Sequence, residues 1–181
     1  MSAAKSEPEN YFQVFGLPVR FQLDEGELQR KFYELSRENH PDRFAGKGAQ
    51  ALQASLTQMS RVNQAYSVLK DRRSRREHIL ALTGAASSSG ARGSIPMELA
   101  ENWFELQDAL LEDPEGAVER AAEFRKELED FESRREQQAQ ALERAFDQGD
   151  ASSASKLAEI IREQSYLQSL KRDLDSKMRR T

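Results

Sequence analysis

The residues best able to do chemistry lie together in Asn39-His40-Pro41-Asp42-Arg43-Phe44. A histidine and an aspartate one residue apart could in principle trade a proton. The chain has no cysteine, no serine in a nucleophile-like motif and no visible partner base, so acid-base or covalent catalysis is not expected. The same residues suit recognition. Pro41 fixes a backbone angle at low entropic cost, and His40 and Asp42 then present a donor and an acceptor at a rigid corner. The plain alternative is a helix stop at which Asp42 only caps the next turn. Composition alone would put His-Pro-Asp somewhere in a chain of this size on the order of one time in a hundred, so its position decides what it means.

The elements around it are helical. Leu28, Phe32 and Leu35 recur at i, i+4 and i+7, giving the helix ahead of the corner one buried stripe. Asp24 with Glu27 has capping-box spacing, Leu23 can staple onto Leu28, and Pro41 stops the helix by disfavouring helical backbone at His40. Behind the corner, a helix carries Leu52, Leu56, Met59, Asn63 and Tyr66 on one side with Val62, Ala65 and Leu69 beside them. It is expected to run antiparallel to the helix before it. Tyr11, Phe12, Phe15 and Leu17 form an apolar start, and Ile79, Leu80 and Leu82 a short last helix, with His78 an ordinary surface or packing residue.

Residues 84–94, GAASSSGARGS, are small and aperiodic and are expected to be a linker. Beyond it, Leu99, Trp103, Leu106 and Leu110 make one stripe. Asp113 and Pro114 read as the N-cap and first residue of a long helix through Ala121, Phe124, Leu128, Phe131, Leu142 and Phe146. Gly149 and Asp150 turn the chain into a last helix through Leu157, Ile160, Leu167, Leu170 and Leu174. The expectation is an all-α chain: residues 1–9 a disordered N-terminus, 10–83 a helical hairpin with short helices, and 95–181 a three-helix bundle. Arg135 and the short helices interrupt any long coiled-coil phase.

Composition agrees. The 181 residues are 38% hydrophobic and 32% charged, which favours narrow apolar stripes on exposed helices. With 27 basic and 31 acidic residues the net charge is −4, so no bulk attraction to nucleic acid or membrane is expected. Zero cysteines and two histidines argue against a metal site, and no cofactor is expected. Neither a secretory nor a transit pattern is visible in the first ten residues, and no apolar run is long enough to span a bilayer, so a cytoplasmic location is expected.

Residues 10–83 resemble a J-domain, and NYFQVFGLP, the HPDRF corner and VNQAYSVL, followed by an all-helical module, resemble the HscB family of J-domain co-chaperones. The absence of a Gly/Phe-rich linker, zinc-binding cysteines or a β-rich module separates the chain from other J-proteins. The resemblance implies that His40, Pro41 and Asp42 contact a DnaK/HscA-type chaperone and trigger ATP hydrolysis there, so the chain is itself no enzyme. It also implies that Arg30 and Arg37, opposite the buried stripe of their helix, and Arg43 beside the corner meet a negative chaperone surface. Fewer positive charges than usual in the family imply modest steering.

In this family the second module holds the iron-sulfur scaffold protein IscU. Aligning ELQDALLE and REQSYLQSL onto that patch implies contacts from Phe104, Glu105, Asp108, Glu112 and Tyr166. Helical arithmetic independently puts Phe104 and Tyr166 off their core stripes; the alternative is that they pack against the other module or a third bundle face. Ala100 and Glu101 stand where larger apolar residues are usual, so either affinity is lower or Leu99 and Trp103 contribute instead. A rival reading keeps the J-domain and gives the bundle a client unrelated to iron-sulfur clusters.

Overall fold

In the computed structural model, residues 9–85 and 96–179 are described. The helices are α1 (Tyr11–Val14), α2 (Glu25–Glu38), α3 (Ala49–Lys70), α4 (Arg72–Leu82), α5 (Met97–Glu112), α6 (Val118–Asp147) and α7 (Ser153–Met178), with a 3-10 turn at Pro41–Arg43. No strand occurs among the described residues. The chain divides into two units, Met1–Ser88 with Phe146–Ala151, and Ser89–Ala145 with Ser152–Thr181.

In the first unit α3 packs against α1, α2 and α4. The core is Phe12, Phe15, Leu28, Val62, Ala65, Leu69 and Ile79. The Asp24 carboxylate accepts from the Glu27 amide at 3.0 Å, so α2 begins where the capping residues put it. The stripe expected along α3 is corrected. Leu56 is 46% exposed and Asn63 is exposed, while Ser55, Val62, Ala65 and Leu69 are buried. The buried side is the one carrying Val62, Ala65 and Leu69, and it includes the polar Ser55, which hydrophobic spacing does not mark.

His78 is a packing residue. Its ring stacks on Tyr11 with centroids 4.6 Å apart, and Nε2 accepts from the Tyr11 amide at 3.2 Å. Arg75 is buried, and its guanidinium donates to the carbonyls of Phe21 and Leu69. The turn Phe146–Ala151 belongs to this unit: Phe146 meets Phe21 edge-on, and the Asp147 carboxylate accepts from the amides of Phe21 and Gln22 at 2.8 and 2.9 Å.

Of residues 1–9 only Glu9 is described, paired with Arg61; the rest lie outside the described residues. Of the linker expected over 84–94, Gly84 takes φ +72° just past the end of α4, as a helix-terminating glycine does, and Ala85 is buried. Residues 86–95 lie outside the described residues.

The second unit contains a three-helix core. Leu99, Trp103, Leu106 and Leu110 from α5, Ala121, Phe124 and Leu128 from α6, and Leu167, Leu170 and Leu174 from α7 close on one another, with Trp103 stacked on Phe124 at 5.6 Å. The start expected for α6 is corrected. Asp113 caps a separate helical turn, its carboxylate accepting from Gly116 at 3.1 Å and its carbonyl from Ala117 at 3.0 Å, and α6 proper begins at Val118. Beyond Phe131, α6 still buries Ala139 but also sets charged side chains against α7. Arg135 pairs with Glu163 of α7 at 2.8 Å, and Lys171 of α7 pairs with Glu132. Burial pushes the Glu163 carboxyl up, against the pull of Arg135. Gly149, at φ +108°, makes the turn between α6 and α7.

Candidate functional site: an exposed corner and an off-core helix face

The corner after α2 is held from three sides. Asn39 caps the helix: its amide and its side-chain nitrogen both donate to the Leu35 carbonyl, at 3.0 and 2.8 Å. The Asn39 carbonyl in turn accepts from Ser55 of α3 at 2.6 Å, tying the corner to the neighbouring helix. The Arg43 guanidinium reaches back to the Arg37 carbonyl at 3.1 Å, satisfying one of the orphan acceptors of α2.

Within the corner, His40 has extended backbone and Pro41 opens the 3-10 turn. His40 Nδ1 lies 3.3 Å from the Asp42 amide nitrogen, which can donate to it, and 3.5 Å from the Asp42 carboxylate, so both groups of Asp42 gather on one edge of the ring and Nε2 is left on the other. The Asp42 side chain is 89% exposed and that of His40 54%. The His40 imidazole and the Asp42 carboxylate thus face solvent on a backbone tied to α2 and α3 on either side.

Arg30 and Arg37 are exposed on α2 and, with Gly26, Gln29, Tyr33 and Glu34, line a shallow open groove. Arg43 stands beside it but spends part of its guanidinium on α2. That structural use was not anticipated from sequence, nor were the roles of Asn39 and Ser55.

On the second unit Phe104 is 66% and Tyr166 43% exposed, and Glu105, Asp108 and Glu112 are all exposed. On α5, Asn102 bonds Glu127 and Glu105 pairs with Arg120, so that edge of the helix faces α6, while Phe104 lies on the other. On α7, Gln164, Lys171 and Asp175 pair with Glu136, Glu132 and Arg125 of α6, and Tyr166 lies across the core stripe from them. Both aromatics therefore lie on the α5–α7 side of the bundle. Glu105 is turned toward α6, where Arg120 holds it at 3.5 Å. Leu99 and Trp103, the alternative contributors, are only 2% and 7% exposed; they are committed to the core and have no surface to offer.

Among the described residues no group of three or more His, Cys, Asp or Glu side chains could hold a metal ion, and no helix is long and apolar enough to cross a membrane.

A helical hairpin closed by an exposed, pinned His-Pro-Asp corner defines a J-domain, and the family described as "DnaJ domain" matches residues 10–78. The chain is 31% identical over 127 residues to "Co-chaperone protein HscB" of Proteus mirabilis, covering 70% of each chain. It is 36% identical over 115 residues to "Co-chaperone protein HscB homolog" of Vibrio cholerae, covering 60% of this chain and 67% of that one. Among solved structures, it is similar to the chaperone HscB from Vibrio cholerae, with a TM-score of 0.57 at 28% identity over 92% of this chain and 96% of that one. The fold is shared with human HscB, with a TM-score of 0.59 at 21% identity over 96% and 84% of the two chains. The chain belongs to the HscB family of J-domain co-chaperones.

Proposed function

We propose that this co-chaperone stimulates the ATPase of a DnaK/HscA-type chaperone through His40, Pro41 and Asp42, with Arg30, Arg37 and Arg43 as flanking contacts. It delivers an IscU-type iron-sulfur scaffold protein held by Phe104, Glu105, Asp108, Glu112 and Tyr166. The chain itself catalyses nothing and needs no cofactor; ATP is hydrolysed in the partner. The observation that carries the reading is the pairing, in a chain of this family, of a solvent-facing His-Pro-Asp corner on one unit with two aromatics exposed off the bundle core on the other. Tethering client and activator in one chain raises the client's effective concentration at the chaperone. Iron-sulfur protein maturation is the process served, and the reading has the chain act in the cytoplasm.

Calorimetric titration of IscU-type scaffold into the intact chain tests the client half. A saturable one-to-one complex that Phe104→Ala weakens supports the reading. A chain that activates the chaperone yet does not bind scaffold is instead a J-protein with a client unrelated to clusters.

A further inference from the structure

The groove on α2 belongs to the proposed chaperone-facing surface, whereas the exposed apolar side chains of α5 have no role within the bundle core. Met97, Phe104 and Leu111 are 76%, 66% and 78% exposed and stand at i, i+7 and i+14 on α5. Seven residues are nearly two helical turns, so the three form one outward ridge, roughly 20 Å long at 1.5 Å per residue. Two of them are more exposed than Phe104 itself.

The ridge has a border of one sign. Helix α5 carries Glu98, Glu101, Glu105, Asp108 and Glu112 and no lysine or arginine. Asp108 and Glu101 lie along one side of the ridge, with the uncharged Ala100 and Gln107 along the other, and among the described residues Arg120 of α6 pairs with Glu105. A second copy of this chain is a poor occupant, because α5 against α5 would oppose like charges across an apolar seam. A scaffold segment with apolar side chains bordered by Lys and Arg fits both the ridge and its border.

We infer that Leu111 is a specificity-determining contact for the scaffold, extending the docking surface from Phe104 toward the C-terminal end of α5, where its apolar area replaces what Ala100 and Glu101 do not supply. The ridge then reads a basic-bordered apolar segment along the whole helix. This inference rests on the delivery reading above.

The test is calorimetric titration of IscU-type scaffold into the full chain, comparing native protein with Leu111→Ala, Leu111→Lys and, as an exposed apolar control in the other unit, Leu56→Ala. Position 111 is outward-facing, so helical circular dichroism should be unchanged in all variants. Leu111→Ala is expected to weaken binding about tenfold, the worth of burying one leucine side chain. Leu111→Lys should weaken it further, with the difference between the two shrinking at high salt, a signature that loss of packing alone would not give. Leu56→Ala should bind as native. Native affinity in Leu111→Ala alongside weakened binding in Phe104→Ala would overturn the inference and leave delivery standing. No binding by the native chain would overturn both. Leu111-dependent self-association in sedimentation, with scaffold affinity unchanged, would assign the ridge to a second copy and refute the occupant argued here.

Discussion

Replacing Ser55 by alanine removes one hydroxyl from a 3%-exposed site and, with it, the bond that ties the Asn39 carbonyl to α3. The alanine leaves almost no cavity, so the cost is the lost bond plus a half-buried carbonyl without its donor, about 1–2 kcal/mol together. Unfolding of the intact chain should shift down by about 2–4 °C per kcal/mol at this size. The functional effect is separable. With its tie gone, the corner visits other geometries, and if 1 kcal/mol of bias is lost, the competent fraction, and so the chaperone's apparent affinity, falls by at most about fivefold. The assay is chaperone ATPase against co-chaperone concentration, at a temperature where every variant is folded. Val62→Ala is the control: Val62 is fully buried on the same helix but is not bonded to the corner, so it should cost comparable or greater stability without moving the half-saturation point. Equal half-saturation in Ser55→Ala and native protein would refute the claim that this bond organises the corner.

Burial holds the His78 imidazole below its usual range, with Glu9 opposing weakly. A base whose folded pKa is depressed leaves the unfolded chain with more bound protons, so its contribution to stability is full above the unfolded value and is lost as pH falls toward the folded one. Thermal stability should therefore decline on acidification below about pH 6.5, and less steeply in His78→Gln, as read by melts across that window. Asp24→Ala removes the cap of α2 and should cost about 1 kcal/mol in urea unfolding. Leu128→Ala, at a site with no exposed surface in the bundle core, should cost about 2–5 kcal/mol, and scaffold binding should be lost on warming before activation of the chaperone by the first unit is.

What sequence made legible follows from what has a period. The stripes of α5 and α7 repeat large apolar residues every three or four positions and are buried where they do so, while on α2 Leu28 is buried and Phe32 and Leu35 are half-buried. The corner was legible because Pro41 stops a helix by covalent geometry, independent of packing. The α3 stripe was misjudged because its buried side centres on Val62, Ala65 and Leu69 and continues through Ser55, a polar residue that carries no hydrophobic signal. The start of α6 was set too early because an Asp-Pro pair caps a helical turn equally well whether or not a helix continues from it. Ser55, Asn39, Arg43 and Arg75 were illegible for one reason: each bonds a backbone carbonyl, three of them on another element, and nothing in residue type or spacing says which carbonyl will be in reach. Phe104 and Tyr166 were legible as aromatics off their stripes, whereas the prominence of Met97 and Leu111 emerged only with the exposed face of α5.

The central claim, that the exposed corner activates a chaperone already presented with its client, is tested most directly by single-turnover ATP hydrolysis by an HscA/DnaK-type chaperone. The co-chaperone is added alone, with IscU-type scaffold, and as His40→Gln with and without scaffold. The account predicts stimulation by the native chain, greater than additive stimulation with scaffold, and loss of both in His40→Gln, which should still bind scaffold with native affinity. Hydrolysis at the basal rate with the native chain and scaffold together, or full stimulation by His40→Gln, would contradict it.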